Sequence, residues 1–208
     1  MAFITFEGME GCGKSTQAKL LARALGSDAV LTQEPGGTAI GRAIRQLLLD
    51  PANRAMSAES EVLLFFADRA QHVAEVIRPA LAAGKIVIST RYVDTSLAYQ
   101  GYGRGLDLDR IRSVAVLATG GLRPDLTLFF DLPLEVGLAR VVRRGGRDRL
   151  ESEVREFHER VRNGYLELAA AEPDRWIRID ASGSEADVEA RTRAAVEARG
   201  LAPSHGVR

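Results

Sequence analysis

The chain has 208 residues, of which 46% are apolar and 27% are charged, so it can bury a full core and is too apolar to be disordered. Its 28 basic residues balance its 28 acidic ones, and this zero net charge argues against binding to nucleic acid or to an anionic membrane. A single cysteine excludes an intrachain disulfide, and three scattered histidines lack the spacing of metal ligands. No apolar run approaches the roughly 20 residues of a membrane span, and no signal peptide is evident. We therefore expect a soluble, cytoplasmic protein.

Short apolar strands alternate with helical patterns along the chain. The strands are predicted at 3–7, 29–32, 86–89, 126–131 and 176–179. The helices are predicted at 14–25, 40–49, 57–83, 107–119, 134–144, 152–171 and 185–199, with Ser57 as the N-cap of the third. The glycine-containing segment 92–105 predicts a loop over a functional site, and 201–208 predicts a flexible tail.

This alternation predicts an α/β fold with a five-stranded parallel sheet flanked by helices on both faces, because parallel strands need crossover helices. The sequence contains no linker, so we expect a single domain over 1–208.

A phosphate-binding loop is predicted directly after the first strand. Residues 8–15, GMEGCGKS, match the pattern GxxxxGK[ST], and the match opens a predicted helix, as the motif requires. Glycines let backbone amides close around phosphate oxygens, a lysine adds a point charge, and a serine hydroxyl can ligate Mg²⁺. The expected ATP-binding residues are Gly8, Met9, Glu10, Gly11, Cys12, Gly13, Lys14, Ser15 and Thr16, with Ser15 as the metal ligand. Cys12 is interpreted as a small filler in this loop.

Other classes of phosphate-loop protein fit the chain less well. A GTPase would usually carry an Asn-Lys-x-Asp motif, but the two asparagines, Asn53 and Asn163, precede arginine and glycine. A motor or a large ATPase would need a longer chain. A small kinase, with ATP as phosphoryl donor, is the remaining interpretation.

Several sequence blocks resemble one kinase family. The blocks GMEGCGKST, TQEPGGT, LLFFADRAQH, RYVDTSLAYQGYGRG, RPDLTLFFDLPLEVGLAR and GRDRLE are similar to those of bacterial-type thymidylate kinases, and they follow the same order from residue 3 to about residue 180. The resemblance implies a P-loop nucleoside-monophosphate-kinase-like fold. It also implies transfer of the γ-phosphate of Mg-ATP to dTMP, giving dTDP for dTTP biosynthesis, by a homodimer.

The resemblance also implies roles for individual residues. Glu10 and Arg91 would contact dTMP and help to organise phosphoryl transfer together with Lys14. Phe65 and Arg69, four residues apart on one helix face, would stack on the thymine and read its edge. Arg91 follows a strand, where parallel sheets bind ligands. The expected dTMP-binding residues are Glu10, Pro35, Arg45, Phe65, Arg69, Arg91, Ser96, Tyr99 and Gln100, with Tyr99 excluding a ribose hydroxyl.

A basic lid is predicted at about 143–151, because four arginines lie within seven residues and repel one another unless an anion binds. Arg147 is expected to contact ATP. Gly11 stands where another type of the family carries an arginine, so the resemblance implies that the catalytic arginine comes from this lid. We expect it to be Arg149, acting as an arginine finger supplied within the chain. Asp131, at the end of a strand, is interpreted as structural.

Two positions depart from the family pattern. Thr90 stands where an aspartate usually precedes the strand-end arginine, and a neutral oxygen is a weaker partner for Mg²⁺. Gln33 replaces the arginine that usually precedes EPGGT. Two alternatives therefore stay open: a kinase for another nucleotide or small acid, and a nucleotide-binding module without turnover.

Overall fold

The centre of the fold is a sheet of five parallel strands. In the computed structural model, which describes residues 1–145 and 148–201, the strands are β1 Ala2–Glu7, β2 Ala29–Gln33, β3 Ile86–Thr90, β4 Leu126–Asp131 and β5 Trp176–Asp180. Their order across the sheet is β2-β3-β1-β4-β5, and every neighbouring pair is parallel. The α/β fold with a five-stranded parallel sheet is therefore confirmed.

Helices cover both faces of the sheet. They are α1 Lys14–Leu25, α2 Ala39–Leu49, α3 Ala58–His72, α4 Arg78–Ala82, α5 Val93–Ser96, α6 Leu108–Thr119, α7 Leu134–Arg144, α8 Arg155–Ala171 and α9 Glu185–Ala198. Successive side chains of β1 point to opposite faces of the sheet, so they pack against different helical layers. Ile4 and Phe6 pack with residues of α1 and α9, whereas Phe3 packs with Val73 and Tyr92 on the opposite face. Within the described ranges, no helix combines the length and the apolarity needed to cross a bilayer.

The third predicted helix forms as one continuous helical segment that contains a π-helical turn. Ser57 caps it, as predicted, by accepting the Ser60 amide at 3.1 Å. A π-helical turn at Val73–Ile77 then joins α3 to α4. Pro79 lies in the first turn of α4, where a missing amide is tolerated.

The predicted loop at 92–105 is wrong, because most of this segment is helical and buried. α5 continues into a π-helix at Leu97–Gly103, and only Gly105 among its glycines has a positive φ. Gly101 and Gly103 are instead close-packing positions: a Cβ on Gly103 would lie 2.7 Å from the Phe157 ring of α8. The glycines indicate helix–helix contact rather than a turn, which a single sequence does not distinguish.

This close approach predicts the effect of one methyl group. Gly103→Ala should destabilise the fold by about 1–3 kcal/mol, because Phe157 is fully buried and cannot move aside. Chemical denaturation of Gly103→Ala, Phe157→Leu and the double variant measures the effect. Phe157→Leu should relieve part of the overlap, so the double variant should be more stable than the sum of the two changes. Simple additivity would contradict this packing.

Candidate active site

A cleft of about 600 Å³ opens at the carboxyl ends of β1 and β3, where parallel sheets bind ligands. The phosphate loop and the start of α1 form one wall, and the segments after β2, β3 and β5 form others. The sequence-predicted residues that line the cleft are Glu10, Gly11, Cys12, Gly13, Lys14, Ser15, Thr16, Pro35, Arg45, Phe65, Arg91 and Tyr99. Twelve of the expected positions are thus brought together although they come from distant parts of the chain.

The phosphate loop has the backbone geometry that its glycines suggest. Gly8, Gly11 and Gly13 all have positive φ, and Gly13 is the residue before α1. A Cβ on Gly11 would lie 2.3 Å from the carbonyl oxygen of Gly137, so the loop packs directly against α7. Gly8 and Met9 do not line the cleft; Met9 instead accepts a hydrogen bond from Lys14 Nζ at 2.8 Å.

A charged cluster lies between the loop and β3. Glu10 Oε1 accepts hydrogen bonds from Arg91 Nη2 at 2.7 Å and from the Tyr99 hydroxyl at 2.6 Å. The Arg91 guanidinium also lies 4.9 Å from the centre of the Tyr99 ring. Burial raises the pKa of Glu10, but Arg91, Lys14 and the Tyr99 hydrogen bond outweigh it, so the pKa is lowered and the carboxylate stays charged.

Lys14 and Arg91 together prepare the cleft for an anion. The pKa of Lys14 is lowered by its burial and by the nearby charge of Arg91. Phosphate oxygens would relieve this repulsion between like charges. The cluster therefore favours polyphosphate over a neutral ligand.

The loop after β2 lines the other end of the cleft. Arg45 donates from Nη1 to the Pro35 carbonyl at 2.8 Å. Glu34, buried beneath the loop, accepts from Arg69 Nε at 2.6 Å and pairs with His72 Nδ1 at 2.9 Å. The loop is thus held by buried side chains of α3, while Phe65 lines the cleft beside it.

Three expected dTMP-binding residues lie behind the cleft wall. The Arg69 guanidinium is 1% exposed and donates to Ser96 Oγ at 3.0 Å and to the Tyr92 carbonyl at 2.8 Å. Gln100 donates to Glu61 at 2.8 Å. The structure therefore brings Arg69 and Ser96 together but separates both, and Gln100, from the cleft lining.

Arg149 does not extend into the cleft as a lid arginine would. Its guanidinium is buried and donates to Glu61 Oε2 at 2.6 Å and to the Leu48 carbonyl at 2.8 Å. Glu61 is fully buried and also pairs with Arg104 at 3.0 Å. The expectation of a free finger missed this partner, because Glu61 is 88 residues away in sequence. Arg147 lies outside the described residues.

Sequence reasoning missed other residues of the cleft. Arg140 and Arg144, on the inner side of α7, line it near the phosphate loop, and Arg140 donates to the Gly11 carbonyl at 3.1 Å. Their spacing of four residues on a helix was an available signal. Ser184 and Glu185 line the opposite side, and only the fold brings them there. Asp131, by contrast, pairs with Arg162 and Arg178 at the carboxyl end of β4, in agreement with a structural role.

Comparison with known proteins identifies the family of this chain. The family model described as thymidylate kinase matches residues 6–192. The chain belongs to the thymidylate kinase family. It is 52% identical over 206 residues to the thymidylate kinase of Desulfovibrio desulfuricans, covering 94% of this chain and 95% of that protein. It is 56% identical over 182 residues to that of Pseudomonas fluorescens, covering 86% and 87% respectively.

A solved structure shares the fold. The crystal structure of thymidylate kinase from Ehrlichia chaffeensis superposes with a TM-score of 0.76 at 34% identity, covering 93% of this chain and 97% of that one. The enzyme therefore has a P-loop nucleoside-monophosphate-kinase fold, binds ATP and dTMP, and phosphorylates dTMP to dTDP with ATP as donor.

The buried cluster at Glu61 predicts a large loss of stability. Glu61→Ala should cost about 3–5 kcal/mol, because it leaves the Arg149 guanidinium buried without its carboxylate. Glu59→Ala, on the exposed side of the same helix, is the matched control and should cost under about 1 kcal/mol. Denaturant unfolding of both variants measures the difference, and equal losses would show that the Glu61 cluster is not stabilising.

Proposed function

We propose that the cleft transfers the ATP γ-phosphate in line to the phosphate of dTMP, with ATP on the phosphate loop and dTMP towards Phe65. The observation that carries this proposal is that Lys14, Arg91 and Glu10 line one cleft between those two ends. Phosphoryl transfer needs positioning and charge neutralisation more than covalent chemistry. A cluster of cations organised by one carboxylate suits that requirement.

On the donor side, the backbone amides of the loop from Gly8 to Thr16 would cradle the ATP phosphates at the positive end of α1. Lys14 would neutralise the β- and γ-phosphates. Arg140 and Arg144 lie on the same side of the cleft and would add charge there. Arg147 remains a proposed ATP contact from the sequence alone.

The donor set at this end fits Mg²⁺. The Ser15 hydroxyl is exposed at the start of α1 and lines the cleft, while Thr90 contributes a neutral hydroxyl across it. Among the described residues, no group of three or more histidine, cysteine or acidic side chains is arranged to hold a metal ion. We propose that Ser15, phosphate oxygens and water would hold Mg²⁺ here. Such an ion would supply charge neutralisation at the phosphates.

On the acceptor side, Phe65 would stack on the thymine, and Pro35 and Arg45 would flank the nucleotide. Arg91 would bind its phosphate, and Glu10 would orient Arg91. The Tyr99 ring, fixed by its hydrogen bond to Glu10, would crowd the position of a ribose 2′-hydroxyl and so favour a deoxynucleotide. Arg69, Ser96 and Gln100 would act at the base after a local rearrangement.

The proposed catalytic role of Arg149 requires its ion pair with Glu61 to open. Lid closure over ATP would provide the competing anion, because a phosphate can replace a carboxylate as the guanidinium's partner. Among the proposed catalytic residues, Arg91 and Lys14 are the cations whose charges lower the pKa of Glu10.

We also propose that the enzyme acts as a cytoplasmic homodimer with no nucleic acid partner. The apolar side chains of Leu63 on α3 and of Val116 and Leu117 on α6 are exposed on neighbouring helices, which supports a second copy of the chain as the partner. The zero net charge and the single cysteine support the other two points.

Replacing the loop lysine tests the donor side. Lys14→Ala should lower kcat for dTMP phosphorylation by at least about 100-fold, because the phosphoryl charge loses its nearest ammonium group. Lys19→Ala, on the exposed face of the same helix, is the control and should be unaffected. A coupled assay for ADP release measures both, and near-normal turnover of Lys14→Ala would contradict the proposed site.

Replacing Arg69 tests the acceptor side. Arg69→Ala should weaken dTMP binding about tenfold or more and leave ATP binding nearly unchanged, because its contacts are all on the dTMP side of the cleft. Calorimetric titration with each nucleotide measures the two affinities. Equal losses for dTMP and ATP would remove Arg69 from the acceptor pocket.

A further inference from the structure

Arg91 has an uncommon backbone conformation. Its φ is +75°, and among the described residues it is the one non-glycine residue with a positive φ. A side chain with a Cβ atom adopts this region at a cost, so the surrounding contacts must impose it. The turn is what directs the Arg91 side chain from the end of β3 towards Glu10.

Hydrogen bonds hold this turn on both sides. The Arg91 amide donates to the Phe6 carbonyl at 3.0 Å, and Ser89 Oγ donates to the Arg91 carbonyl at 2.9 Å. The next amide, that of Tyr92, donates to Glu7 Oε1 at 2.8 Å. Glu7 is therefore the side chain that fixes the chain direction immediately after Arg91.

The Glu7 carboxylate is itself held in one orientation. Glu7 is the last residue of β1, is fully buried, and does not line the cleft. Its second oxygen accepts from Thr95 Oγ1 at 2.5 Å and from the Tyr165 hydroxyl at 3.0 Å. These donors come from α5 and α8, so two helices lock the carboxylate against the Tyr92 amide.

Burial raises the pKa of Glu7 to about 7, with a further contribution from Asp94, so keeping a carboxyl group here is unfavourable for stability. An apolar residue would fill a fully buried site without that cost. Perturbed carboxyl groups concentrate at functional sites. The hydrogen bond to the Tyr92 amide indicates what the Glu7 carboxyl group does in the structure.

We infer that Glu7 is a positioning residue for phosphoryl transfer, which fixes the turn at Arg91–Tyr92 and thereby holds the Arg91 guanidinium at the acceptor phosphate. The inference rests on the proposed role of Arg91. Glu7 touches neither substrate, so its effect must pass through Arg91.

Two substitutions separate the hydrogen bond from the general effect of a mutation. Glu7→Gln keeps a carbonyl oxygen for the Tyr92 amide, whereas Glu7→Met has a similar length and lacks a comparable acceptor. In Glu7→Met, the hydroxyls of Thr95 and Tyr165 can still bond to each other, since they already lie 3.0 Å apart. The Tyr92 amide then loses its only acceptor in this contact, and one of the two hydroxyl protons is also left without the Glu7 oxygen.

We expect Glu7→Met to lower kcat/KM for dTMP on the order of 100-fold, as misplacement of a reacting group does, while the Kd for ATP stays near that of the wild type. Glu7→Gln should recover most of the loss. Val196→Ala, in the core between α9 and the sheet, lowers stability far from the cleft and should leave kinetics unchanged. Equal impairment of Glu7→Gln and Glu7→Met, or a loss confined to ATP binding, would overturn the inference.

A double-mutant cycle with Arg91→Ala decides whether Glu7 acts through Arg91. Glu7→Met should have almost no further effect on kcat/KM in the Arg91→Ala background. Fully additive losses would show that Glu7 acts by another route and would overturn the inference. If Glu7→Met fails to fold, Tyr165→Phe replaces it in the cycle, with a smaller loss that should also vanish in the Arg91→Ala background.

The same cycle separates a failure of the role inferred for Glu7 from a failure of the role proposed for Arg91. An Arg91→Ala variant as active as the wild type would refute the proposed role of Arg91 and, with it, the role of Glu7. A strongly impaired Arg91→Ala beside a fully active Glu7→Met would refute the role of Glu7 alone.

Discussion

The burial of two cations side by side is the constraint on which the rest of the site depends. Lys14 and Arg91 both lie at the carboxyl end of the sheet, where their repulsion and their loss of hydration are unfavourable without a partner. Glu10 supplies one negative charge at hydrogen-bonding distance from Arg91. One carboxylate between two cations leaves this cluster with a net positive charge. Nucleotide phosphates would neutralise this excess positive charge. The repulsion between the two cations, which is unfavourable in the free enzyme, therefore favours binding of the phosphorylated substrates.

The buried polar residues of α3 hold other segments of the chain in place. Glu61 binds Gln100, Arg104 and Arg149, and Arg69 and His72 bind Glu34 beneath the loop after β2. Paired buried charges fix geometry because displacement of one member leaves the other without its partner. The helix thus connects the loop after β2 with the segment that contains Arg149.

The sheet, its helices and the phosphate loop could be predicted from the sequence, because their signals are local. The apolar run at 126–131 and the loop at 8–15 need no knowledge of distant residues. Gly103 and Arg149 could not be interpreted in this way. The glycine is required by the Phe157 ring of another helix, and the arginine is bound by Glu61, 88 residues away. Pairings over such distances depend on the assembled fold.

We propose that the cleft selects a thymine deoxynucleotide as the phosphoryl acceptor. The most direct measurement is ADP formation from Mg-ATP with dTMP, dUMP, dCMP, dGMP and UMP offered singly at equal concentration. We expect the highest kcat/KM with dTMP and very low turnover with UMP, because the Tyr99 ring would crowd the 2′-hydroxyl. Equal turnover with UMP, or a preference for dGMP or dCMP, would contradict the assignment of Phe65, Arg69 and Tyr99 to the acceptor pocket.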